Sequence, residues 1–142
     1  MSEPCIFCEI ACGRLNAQIV YEDEEAVAFL DIHPLFPGHV LLCPREHYET
    51  LTDLPLNLSG PMMAKTQLLA RAVEEALDAE GTFIAINNRV SQTVPHLHIH
   101  VVPRRRRDGL KGFFWPRNPY RDAAAREAVC DAIQREVQKL LV

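Results

Sequence analysis

The chain has 142 residues, 48% of them hydrophobic and 24% charged, with six histidines, five cysteines and a formal net charge of −4. This fits one globular domain with a buried core and excludes a disordered chain; no apolar run of about 18 residues is present to span a membrane, and the N-terminus lacks the basic-then-apolar pattern of a secretory leader. An odd cysteine count in a chain large enough to fold without disulfides points to reduced thiols and a cytoplasmic setting.

Residues 5–12 read as a short helix stopped by Gly13. Residues 19–22 and 26–30 read as strands separated by an acidic turn, and Pro34 and Pro37-Gly38 then break the chain. Residues 39–43 form a third strand ended by Pro44. Met62, Thr66, Leu69, Ala70, Val73 and Leu77 fall on one helical stripe, with Lys65, Arg71, Glu74 and Glu75 mostly off it and Gly81 at the expected stop. Residues 82–86 are a fourth strand, and residues 96–102 a fifth, closed by Pro103. Ala125, Val129, Ile133, Val137 and Leu140 mark a C-terminal amphipathic helix. Neighbouring hairpins with flanking helices indicate an α+β fold in a single domain over residues 1–142.

Charge is unevenly placed. Residues 1–60 carry ten acidic against two basic residues, a balance of −8, and residues 61–142 carry nine against thirteen, a balance of +4. The acidic half argues against a nucleic-acid binder, while the basic half leaves room for an anionic ligand.

The most informative segment is His96-Leu97-His98-Ile99-His100. Strand side chains alternate, so the three histidines share one face about 7 Å apart, and Leu97, Ile99 and Val101 face the core. Apolar residues would pack better at those positions, so metal binding or chemistry remains. Cys5-x-x-Cys8 is a half-site with zinc spacing, and the missing ligands are available at His47 and on the histidine strand. A closed Cys₂His₂ site is structural rather than catalytic. A neutral imidazole held rigidly on a strand is also a nucleophile suited to phosphorus, provided an acceptor holds its far nitrogen and donors meet the phosphate oxygens.

The motif resembles the His-x-His-x-His-x-x signature of the histidine triad family. The likeness extends to Gln92-Thr93-Val94, to Val101-Val102-Pro103-Arg104, to the run from Pro37 to His47 and to Cys5-Ile6-Phe7-Cys8-Glu9-Ile10, over about residues 4–104 in order. The resemblance implies a homodimer whose antiparallel sheet of about five strands continues across the two-fold axis. It also implies hydrolysis at a nucleotide α-phosphate, on a dinucleoside polyphosphate or a nucleoside phosphoramidate. His98 would be the nucleophile, His100 a phosphate donor, and His39 would complete the histidine cluster. Asp31 would accept from the ribose hydroxyls, and Asn87, Gln92 and Thr93 would face the phosphates. Cys5, Cys8, His47 and His96 would hold a structural zinc. Transfer to a phosphorylated acceptor other than water, and a nucleotide-binding regulator with little turnover, are the alternatives; a zinc module for a macromolecular partner is disfavoured by the acidic N-terminal half.

Two segments depart from the family pattern. The loop from Asn87 to Gln92 is shorter than in common members and lacks their glycine before the glutamine. The stretch after Arg104 is not matched residue by residue; Arg104, Arg105, Arg106, Arg107, Lys111, Phe113, Phe114, Trp115 and Arg117 read either as contacts to polyphosphate or the second nucleoside, or as a packing or dimer-rim loop. Cys43 and Cys130 are expected to be small buried residues, Cys12 is surplus to the metal, and His33 has no assigned role.

Overall fold

The apolar runs pair into one antiparallel sheet of five strands, in the order β1-β2-β3-β5-β4. The strands are β1 (Ile19–Glu22), β2 (Ala26–Leu30), β3 (Val40–Pro44), β4 (Gly81–Ala85) and β5 (Ile99–Arg104), with helices α1 (Ile6–Ala11), α2 (Leu56–Leu77) and α3 (Ala123–Leu140). The computed structural model describes residues 4–111 and 117–141, so Phe113, Phe114 and Trp115 lie outside the described residues. The chain divides into two compact units, 1–108 and 109–142.

In the first unit both faces of the sheet are covered, which is why β2 and β3 read as continuous apolar runs rather than alternating ones. Ala26, Ala28, Val40, Leu42, Leu97, Ile99 and Val101 pack with Met62, Leu69 and Val73 of α2. Val27, Phe29, Leu41 and Cys43, one residue out of phase, pack on the opposite face with Phe7 and Ile10 of α1. Leu97, Ile99 and Val101 thus face α2 as expected, and the interleaved histidines are turned to the α1 side.

Four local expectations change. The α2 helix stops at Asp78 in the left-handed conformation (φ 51°), while Gly81 opens β4. β5 passes through Pro103 to Arg104, because β3 ends opposite Val101 and no β3 donor or acceptor stands beside the proline. Lys65 is buried, its ammonium 2.9 Å from Glu25 and 3.2 Å from Asp23 in the β1–β2 turn. Cys43 is buried as expected, but Cys130 is exposed.

In the second unit, Asp122 caps α3 by accepting from the Ala125 N–H. Its apolar stripe, Val129, Ile133, Val137 and Leu140, is exposed.

Candidate functional site

Three of the four expected metal ligands sit where the local backbone dictates. Cys5 is the N-cap of α1, and its sulfur accepts from the Cys8 N–H, so both thiols face one way from the first turn. His96 precedes β5. Its Nε2 meets the Pro44 carbonyl at 2.8 Å, and a carbonyl only accepts, so Nε2 carries the proton and Nδ1 presents a lone pair. That Nδ1 lies 3.3 Å from Cys5 Sγ and 3.5 Å from Cys8 Sγ, and Nδ1 of His47 lies 3.4 Å from Cys8 Sγ. All four ligand atoms fall within 4.8 Å of one another. Zinc–sulfur and zinc–nitrogen bonds of about 2.3 and 2.05 Å at tetrahedral angles require sulfur–nitrogen edges of roughly 3.5 Å, so the donor set fits a closed tetrahedral zinc. Burial and the neighbouring Cys5 push the Cys8 thiol up to about 11 in the metal-free protein, a penalty that a bound dication relieves.

His39 and His100 form a directed relay. Nδ1 of His39 accepts from the Leu35 N–H at 3.1 Å, so its proton is on Nε2. Nε2 donates to Nδ1 of His100 at 2.9 Å, which leaves the His100 proton on Nε2 as a donor for a ligand. Burial holds both rings neutral, His39 below its usual value and His100 down to about 4, with neighbouring histidines adding to the His100 shift. Nδ1 of His98 lies 2.7 Å from the His96 carbonyl and must be its protonated nitrogen, so the lone pair is on Nε2. Every buried side-chain nitrogen and oxygen among the described residues has a partner, and Nε2 of His98 has none. That atom is therefore open to solvent, although the residue is only 5% exposed. The His98 and His100 rings lie 4.9 Å apart. One unprotonated nitrogen thus keeps some accessible surface on the ring beside the one that carries an N–H donor.

Asp31 reaches this cluster from the end of β2, its carboxylate 3.7 Å from Nδ1 of His39 and its backbone N–H bonded to the His39 carbonyl. Asp31, His39 and His100 also lie close enough to be taken for metal ligands. The His39 nitrogens and Nδ1 of His100 are already engaged with Leu35 and with one another, so a cation does not fit there.

The expected phosphate loop is braced on itself. The Gln92 amide donates to the Glu49 carbonyl and accepts from the Arg89 N–H, Asn87 donates to the Ser91 carbonyl, and Thr93 is exposed. Arg89 and Ser91 take positive φ (65° and 62°), so this shorter loop turns without glycine, at about 1–2 kcal/mol per residue. Arg104 pairs with Asp108, Arg105 bonds the α2 carbonyls of Leu77 and Asp78, and Arg106 pairs with Glu80. Arg104 lies roughly 13 Å along β5 from His100 at strand rise. Of the two readings of this stretch, these partners fit the packing one: Arg104, Arg105 and Arg106 close the C-terminal end of α2 and the β5 turn.

Sequence reasoning passed over one residue at this site. Phe7, between the two cysteines, is buried with its ring centroid 5.0 Å from that of His98 and 6.0 Å from that of His96, edge to face in both cases. Only its place inside the Cys-x-x-Cys turn could have marked it.

A HIT domain profile matches residues 13–107. An uncharacterized HIT-like protein of Mycobacterium tuberculosis is 42% identical over 128 residues, covering 87% of this chain and 89% of the relative. An adenylylsulfatase of Arabidopsis thaliana is 34% identical over 112 residues, covering 78% of this chain and 57% of that protein. A zinc-bound histidine triad family protein from Mycobacterium smegmatis superposes with a TM-score of 0.71 at 40% identity, covering 94% of this chain and 96% of the other.

Proposed function

The chain belongs to the HIT domain family, and on that premise we propose that it hydrolyses a nucleotide at the α-phosphate through a nucleotidyl intermediate on Nε2 of His98. The observation that carries this reading is the fixed proton arrangement: Nδ1–H of His98 is held by the His96 carbonyl and the opposite lone pair is presented outward. That lone pair attacks phosphorus and forms a P–N bond as the bond to the leaving group breaks, and the leaving group departs with the electron pair and takes a proton from solvent. Nε2–H of His100, polarised by the His39 bond behind it, donates to a non-bridging oxygen as charge builds there. Water then attacks phosphorus and loses a proton to solvent, the P–N bond breaks with its electron pair returning to Nε2, and a nucleoside monophosphate leaves with His98 restored. Asp31 accepts from the ribose hydroxyls at the mouth of the site, and Asn87, Gln92 and Thr93 border the phosphates.

Cys5, Cys8, His47 and His96 hold a structural zinc, which when bound cross-links α1 to the segment that carries the nucleophile into β5. The protein acts as a homodimer, its sheet continued through the free edge of β4. Supporting that surface, Ile84 of β4 and Met63 and Leu68 of α2 are exposed together around one hollow.

The substrate class is a dinucleoside polyphosphate or nucleoside phosphoramidate, with adenylyl sulfate included because of the Arabidopsis relative. Incubation with diadenosine polyphosphates, adenosine phosphoramidates and adenylyl sulfate, with rapid quench and intact-mass analysis, should release the nucleoside monophosphate and trap one nucleotidyl group per chain. Equal turnover by His98→Ala, or a trapped group on any other residue, would reject the mechanism.

A further inference from the structure

The bond to the His96 carbonyl explains which nitrogen of His98 is free, but not what stops the ring from turning over. The terminal torsion of histidine is broad and roughly two-fold. A flip about it exchanges Nδ1–H for a carbon at the His96 carbonyl and turns the Nε2 lone pair off its direction. The single 2.7 Å bond to that carbonyl opposes the flip, and so does whatever packs on the ring. One such neighbour is His100, centroid to centroid 4.9 Å at 60°. Phe7 also packs on it, at 5.0 Å and 88°, close to an ideal edge-to-face contact. Phe7 is itself held, with Phe29 of β2 at 5.2 Å and the ring 6% exposed. It projects from the first turn of α1, with Cys5 and Cys8 two residues before it and one after it.

We propose that Phe7 is a positioning residue for the nucleophile: its ring locks the His98 imidazole in the orientation that points Nε2 at phosphorus. The cysteine turn thereby sets catalytic geometry as well as anchoring α1. The catalytic consequence rests on the reading of His98 as nucleophile; the orientation itself does not. An aromatic pair of this kind corresponds to roughly a two- to twelvefold bias in a two-state equilibrium.

The test uses the zinc-loaded full chain, with metal verified at one per chain. Phe7→Leu is compared with wild type by long-range proton–nitrogen correlation of the His98 ring, assigned by difference from His98→Asn, and by steady-state kinetics. Phe7→Met takes its place if Phe7→Leu does not fold. The expected result is full zinc content, a pure Nδ1–H tautomer in wild type but a mixed or exchange-broadened His98 ring in the variant, kcat lowered roughly three- to tenfold and KM within twofold. A His98 ring that stays wholly Nδ1–H with kcat unchanged would overturn the proposal. So would a variant in which the tautomer changes only when zinc is lost, since Phe7 would then merely hold α1. If wild type turns over none of the nucleotides, the hydrolase reading fails, while the tautomer comparison still decides the role of Phe7.

Discussion

Gly38→Ala should destabilise the protein by about 2–4 kcal/mol, for two separable reasons. Gly38 sits at φ +97°, and a Cβ built there would stand 2.0 Å from Cδ1 of Leu77 and 3.4 Å from Cγ of Pro103. The positive φ costs an alanine about 1–2 kcal/mol, and overpacking typically costs about 1–3 kcal/mol. Leu77 is 37% exposed and can swing partly away, which holds the sum in the lower part of that range. Gly13 isolates the first cause, since it has φ +80° and no atom within 4 Å of where a Cβ would stand. At about 3 °C per kcal/mol for a chain of this size, Gly38→Ala should lower Tm by roughly 6–12 °C. Urea titration of Gly38→Ala, Gly13→Ala, Leu77→Ala and the Gly38→Ala/Leu77→Ala pair completes the assay. Leu77→Ala opens the space, so the Gly38 penalty measured in that background should shrink to the Gly13 value. Equal costs at the two glycines, or a cycle additive within about 0.5 kcal/mol, would refute the steric argument. The same variant displaces the neighbouring His39, whose Nε2–H holds His100, so kcat should fall as well.

Cys5→Ser combined with Cys8→Ser should abolish zinc binding and lower Tm, and metal content equal to wild type by elemental analysis would contradict the site. His98→Ala should lose turnover by several orders of magnitude while retaining nucleotide binding by calorimetry; retained kcat would remove His98 from the mechanism. His39 and His100 are held neutral by burial, so the unfolded chain binds the extra protons. Their contribution to stability is complete above about pH 6.5, the unfolded value, and is lost as pH falls toward the folded His100 value of about 4. A urea midpoint that does not decline across that window, or a decline unaltered by His100→Asn, would contradict this assignment.

Much of the fold is legible because burial imposes short-range periodicities. The alternation 96, 98, 100 against 97, 99, 101 places the histidines and the core residues on opposite faces, as the packing confirms. The continuous apolar runs of β2 and β3 follow from helices covering both faces of the sheet. Lys65 is not legible in this way, because its burial depends on Asp23 and Glu25, about 40 residues earlier, arriving beside it. The partners of Arg104, Arg105 and Arg106 are not legible for a related reason: nothing in the run itself marks Asp108, Glu80 and the carbonyls at the end of α2 as the groups it meets. The stop of α2 at Asp78 rather than at Gly81 reflects a left-handed cap that aspartate also tolerates.

Residue type and local spacing carry the chemistry available to this chain: three histidines on one strand face, a cysteine pair with zinc spacing, and a likeness dense enough to name the family. Which nitrogen bears each proton depends on the folded chain, because tautomers are set by partners such as the Pro44, Leu35 and His96 backbone groups that spacing along the chain does not reveal. The same holds for Phe7, an unremarked apolar residue between two cysteines. It meets the nucleophile ring across 91 positions of sequence, and long-range packing alone brings that helix onto the segment leading into β5.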